Sequence, residues 1–152
     1  MIQISEFVKK YGPWAAIYTF VGDDGSNISI ASDLLRQHCI KRGYKRHIVP
    51  VDVAFFWAFL EQNAISIDRI KELSQRPRIH EDPVIFCMTP EGQHEGLLVD
   101  GHHRYALACV RGQKHITAWM LQPERWKPFQ ILGLEDLTKE QLSRIPLNPR
   151  NY

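Results

Sequence analysis

The chain is poor in cysteine, has no long apolar run and carries little net charge, and each absence narrows what it can do. Its three cysteines, Cys39, Cys87 and Cys109, stand far apart in 152 residues. That spacing argues against a disulfide framework and a paired-cysteine zinc knuckle, and isolated thiols of this kind are expected as buried apolar side chains. No stretch approaches the roughly 18 consecutive apolar residues of a membrane-crossing helix, so no membrane partner is expected. The opening Met1, Ile2, Gln3, Ile4, Ser5, Glu6 lacks the basic start and apolar centre of a signal peptide, and a cytoplasmic location is the expectation. A formal charge of +2 does not by itself mark a nucleic-acid-binding protein. No repeat, low-complexity tract or Gly/Ser linker divides the sequence. With 44% hydrophobic residues there is material for one core, so residues 1–152 are expected to form a single domain.

What the chain does have is the run Leu97, Leu98, Val99, Asp100, Gly101, His102, His103, Arg104, Tyr105, Ala106. Leu97 to Val99 reads as a short strand, Gly101 permits a sharp turn, and residues 102–110 read as a helix stopped by Gly112. A helix that starts directly after a strand and a glycine presents free backbone N–H groups and the positive end of its dipole, which suits phosphate. Two histidines and an arginine in that turn add side-chain donors. The expected ligand bears phosphate and is held by Gly101, His102, His103 and Arg104.

Around this turn, residues 47–53 read as a strand, 66–73 as a short helix, and 83–88, 96–99 and 115–121 as strands, with a turn at Gly92. Upstream, residues 5–11 read as an amphipathic helix stopped by Gly12 and Pro13, and 14–21 and 27–30 as strands joined by a turn at Gly22, Asp23, Asp24 and Gly25. Those aspartates belong to turn chemistry more readily than to a calcium loop. Residues 31–42 read as a helix capped by Ser32 or Asp33 and closed by Gly43. Downstream, residues 122–128 read as a loop, 137–144 as helical turns starting at Thr138, and 146–152 as an extended tail.

The wording from Asp100 to Arg104 resembles the ParB/sulfiredoxin superfamily, whose members share a strand, a tight turn and a helix whose first turn holds nucleotide phosphates. The Gly-Cys-His-Arg of sulfiredoxins falls on Gly101, His102, His103 and Arg104, with His102 in place of the cysteine, which excludes sulfinic-acid repair. The Gly-Glu-Arg-Arg of ParB proteins falls on the same four positions. The Asp-Gly-His-Thr-Arg or Asp-Gly-His-His-Arg wording of ADP-dependent serine kinases and ParB-like proteins is satisfied from Asp100 to Arg104. The resemblance covers residues 47–121 and implies a core there that binds a nucleoside di- or triphosphate at Gly101, His102, His103 and Arg104. The implied fold is α/β (α+β), a small mixed sheet with flanking helices, extended by an N-terminal hairpin and helix and a C-terminal segment. The arginine box of ParB proteins is replaced by Phe55, Phe56, Trp57, Ala58, Phe59 and Leu60, and no helix-turn-helix region follows the core.

On this reading the reaction is phosphoryl transfer or nucleotide hydrolysis. Arg104 offsets developing charge, and His102 or His103 moves a proton. Asp100 holds the Mg²⁺ that accompanies the nucleotide, or orients a histidine. Glu61 stands nearest the place of the kinases' glutamate, and Trp57 is the stacking candidate for a base within an otherwise core-forming run. A zinc site completed by His80 or His94 lacks the spacing such motifs need. Two further classes stay open. Arg36, Lys41, Arg42, Lys45 and Arg46, joined by His38 and His47, are either a solvated helix end or a nucleic-acid contact of a small nuclease or DNA-binding accessory protein. The third class is a binding or inhibitor module that keeps the fold without catalysis.

Overall fold

Turn chemistry cuts the chain into short elements, which a computed structural model describes for residues 1–11, 16–21, 24–62, 64–77, 82–89 and 96–143. In order these are β1 Ile2–Gln3, α1 Ile4–Tyr11, β2 Tyr18–Val21, β3 Asn27–Ile30, α2 Ser32–Arg42, β4 His47–Pro50, α3 Val53–Glu61 and α4 Ile67–Ser74. Then follow β5 Val84–Cys87, β6 Leu97–Asp100, α5 His102–Val110, β7 His115–Leu121, α6 Pro123–Trp126, β8 Gln130–Leu132 and α7 Lys139–Ser143. The fold is mixed α+β, with two four-stranded sheets of order β1-β8-β3-β2 and β4-β7-β5-β6 among the described residues. No helix among them is long and apolar enough to cross a membrane. The expected turn at Gly92 and tail at 146–152, together with His80 and His94, lie outside the described residues, as do the first two positions of the strand expected over 14–21.

In the second sheet β7 pairs antiparallel with β4 and parallel with β5, and β5 pairs antiparallel with β6 across a bulge between Ile85 and Phe86. All four β5 residues are buried, as a strand covered on both faces requires. Alternation then sorts the side chains into two clusters. Val84, Phe86, Leu98, Ile116 and Ala118 pack with Phe59 of α3, Ile70 and Leu73 of α4, and Tyr105 of α5. Ile85, Cys87, Val99, Trp119 and Leu121 pack with Ile30 of β3, Leu35 and Cys39 of α2, and Trp126 of α6. Each fully buried aliphatic or aromatic side chain here contributes about 1.5–3 kcal/mol. Burial raises the pKa of the Cys39 and Cys87 thiols, and both behave as the core residues that their spacing suggests.

Helix α5 and strand β7 have the bounds read from the sequence. At α7, Thr138 and Gln141 form a reciprocal capping box, the backbone N–H of each bonding the other's side chain. Other elements differ from expectation. The start of α2 has no side-chain cap: Asp33 accepts from the Ala16 N–H at 2.7 Å and Ser32 donates to the Ala16 carbonyl, so both side chains clamp the approach to β2 instead. Residues 122–128, read as a loop, form α6 and a 3-10 turn, because Pro123 sits at a helix start where its fixed φ helps. Trp126 anchors that turn by donating its indole N–H to the Met88 carbonyl at 2.8 Å. The two-residue pairing of β1 with β8 has no signal in local sequence.

Candidate functional site

Strand β6 passes into α5 through Gly101, whose φ of 97° lies in the left-handed region. A Cβ at that position would stand 2.5 Å from Val84 Cγ1 and 2.9 Å from Arg104 Nη2, so both backbone and space demand glycine. No side chain caps the start of α5. Its first intrahelical bond runs from the Tyr105 N–H to the Gly101 carbonyl, so the amides of His102, His103 and Arg104 precede the helical ladder.

Asp100, 1% exposed, lies at the centre of a cationic pair. Its Oδ2 accepts from Arg36 Nη1 at 2.8 Å and from Arg104 Nη2 at 3.3 Å, and Arg36 Nη1 also reaches the Pro83 carbonyl at 2.7 Å. Asp100 makes no hydrogen bond with either histidine among the described residues, and its Oδ2 serves two guanidinium groups. No group of three or more His, Cys, Asp or Glu stands ready to hold a metal among those residues. Arg36, grouped by sequence with the basic segment, belongs to this buried ion pair because its position on α2 faces the end of β6.

His102 is buried in an aromatic box. Its Nε2 lies 3.1 Å from the Tyr18 hydroxyl, the Tyr18 ring stacks on it with centroids 4.7 Å apart, and Phe59 meets it edge-on at 4.9 Å. Burial, helped by the nearby His103 and Arg104 charges, pushes its pKa down to about 3. His103 faces α4, where its Nε2 accepts from the Ser66 N–H at 2.9 Å. The ring proton therefore sits on Nδ1. Burial and the Arg69 charge push its pKa down to about 4. Both imidazoles are neutral near pH 7. The basic nitrogen of His103 is engaged by backbone, and taking up a proton there would break the link that joins the starts of α4 and α5.

Arg104 and Arg69 each keep a donor with no partner among the described residues. Arg104 gives Nη2 to Asp100, but its Nε is buried with no partner. Arg69 gives Nη1 to Glu72 at 2.8 Å, and its Nε is likewise buried without a partner. Burial lowers the Arg104 pKa while Asp100 opposes the shift. The Arg104 side chain also lines a cavity of about 250 Å³ with Asp82, Arg111, His115 and Thr117.

The remaining candidates lie on α2, on α3 and on the approach to β4. Glu61 is exposed at the end of α3 and makes no hydrogen bond or ion pair among the described residues. Trp57 is 66% exposed and lines a groove with Val53, Phe56, Cys109 and Val110. Cys109 and Val110 close α5, about 12 Å along the helix from its first turn at 1.5 Å per residue, so Trp57 does not stand beside the phosphate-suited end. Phe55 and Phe59 do pack on Tyr105, as a buried face predicts. Lys41, Arg42, Lys45 and Arg46 are exposed.

Sequence reading missed Tyr18 and Arg69. Tyr18 reaches His102 across 84 positions, and nothing local marks that contact. Arg69 had a signal, since Ser66 caps α4 and places Arg69 in its first turn. Compared with protein-family models, curated proteins and solved structures, the chain matches none.

Proposed function

We propose that this chain binds a nucleoside di- or triphosphate, with the phosphates against the first turn of α5 and within reach of Arg104 and Arg69. The observation that carries the reading is the pair of buried Nε–H groups, of Arg104 and Arg69, without partners among the described residues. A buried donor left unpaired costs about 1–3 kcal/mol, more when charged, and a phosphate oxygen would remove that cost. The uncapped start of α5 adds backbone donors and a favourable dipole. The resemblance to the ParB/sulfiredoxin superfamily points to the same turn.

Phosphoryl transfer or nucleotide hydrolysis is the reaction class this reading favours, with Arg104 offsetting charge on the transferred group. Mg²⁺ accompanying the nucleotide would be held by phosphate oxygens, because Asp100 Oδ2 already accepts from two arginines. His102 is in its basic form, and a phosphate dianion beside it would raise its pKa toward a range where it accepts a proton. Thermal unfolding with ATP, ADP, CTP and GTP, each with and without Mg²⁺, tests the proposal. At a hundredfold excess over Kd the right nucleotide adds about 2.7 kcal/mol of stability. Arg69→Gln and Arg104→Gln should each weaken it tenfold or more. Absence of any nucleotide effect, or wild-type affinity in both variants, would overturn the reading.

A further inference from the structure

The fold extends the basic segment with cations from a distant part of the chain. Lys41 and Arg42 close α2, Gly43 turns the chain, and Lys45 and Arg46 lead into β4. Arg125 of α6 lies over the Tyr44 ring with its Cζ 4.1 Å from the centroid. Lys127 begins the next turn, which packs on α2 through the Phe129 ring, 5.0 Å from that of His38. All six cations are exposed, and none forms an ion pair among the described residues. Glu124 is the only carboxylate in residues 38–47 and 123–127.

Two of these arginines are held in place. Arg125 rests on Tyr44, and Arg46 rests on Trp119 at 5.5 Å, a ring that Arg36 approaches at 5.3 Å. Trp119 is itself fixed by donating to the Tyr44 carbonyl at 3.1 Å. A guanidinium stacked on a ring keeps its in-plane N–H donors free for a phosphate and loses less side-chain entropy on binding than a free one. The like charges also act on their neighbours: after burial, Arg42 and Lys41 hold His38 below its usual pKa.

We infer that the end of α2, the loop into β4 and α6 form a face that binds nucleic acid through its phosphate backbone. Six exposed cations without an ion pair among the described residues, three of them arginines and two anchored on aromatic rings, supply the charge that a phosphate backbone needs. The surface lies outside the α5 turn and does not depend on the nucleotide reading.

Fluorescence anisotropy with a labelled duplex of about 20 base pairs, and with its single strand, tests the inference from about 0.05 to 0.2 M salt. Duplex affinity should fall with salt at a log–log slope of about −4. The variant K41Q/R42Q/K45Q should bind at least tenfold more weakly, with a slope shallower by two to three units, roughly one per lost contact. R125Q/K127Q should also weaken binding, whereas R125K/K127R retains it. Nucleotide-induced thermal shifts should be the same in all three variants. No binding at the lowest salt, unchanged affinity in either glutamine variant, or equally tight binding to phosphatidylserine vesicles or polyglutamate would overturn the inference.

Discussion

Arg36 and Asp100, 64 positions apart, meet at 2.8 Å, and this ion pair fastens α2 to the strand that carries the candidate site. The Arg36 side chain is 19% exposed and that of Asp100 2%, so removing the arginine leaves a buried carboxylate with Arg104 as its remaining charged partner. Arg36→Met should cost about 2–4 kcal/mol in urea unfolding. Arg42→Met, on the exposed end of the same helix, should stay within about 0.5 kcal/mol. Equal small effects would mean that the Arg36 pair contributes nothing.

Gly101 and Gly43 both have positive φ, of 97° and 61°, but only Gly101 is crowded. Gly43→Ala should carry the left-handed penalty alone, about 1–2 kcal/mol. Gly101→Ala adds the collision with Val84, for a total of about 2–5 kcal/mol. Denaturation midpoints of the two variants compare them directly, and similar losses would mean that Val84 yields without cost.

The histidines make stability depend on pH in a definite direction. His102 and His103 have folded pKa values near 3 and 4, below the 6.5 of an unperturbed imidazole. Below about pH 6.5 the unfolded chain takes up protons that the folded chain refuses, so stability falls as pH drops and levels off near the folded values. At pH 5 each histidine should cost about 2 kcal/mol relative to neutral pH. His103→Gln, which can still accept from Ser66, should flatten the slope with little loss at pH 7. His103→Leu leaves that amide unpaired and should cost about 1–3 kcal/mol at pH 7. A wild-type protein equally stable at pH 7 and pH 5 would contradict this account.

The parts of this fold legible in sequence are those encoded locally. Gly101 and Gly112 bracket α5, and the apolar run after His115 marks β7. Periodicity identified the buried face of α3. What sequence could not supply is which elements meet. The Arg36–Asp100 pair and the Tyr18–His102 stack are set by packing on the two faces of the second sheet, and no spacing rule predicts either. The histidines looked like free donors because a helix start after glycine suggests exposure. Phe59 and Tyr18 instead close around His102, and Ser66 engages His103.

The parallel pairing of Ile2 and Gln3 with Ile131 and Leu132 bears on how the protein is made. On the ribosome, the apolar side of α1, with Ile4 and Phe7, emerges well before β8, whose Ile131 packs in the same cluster. The second sheet can close once Leu121 is out, so it has time to form before the first. The apolar side of α1 is therefore made long before its partner strand, and an apolar segment without its partner is the stage at which a nascent chain is most open to chaperones and to aggregation.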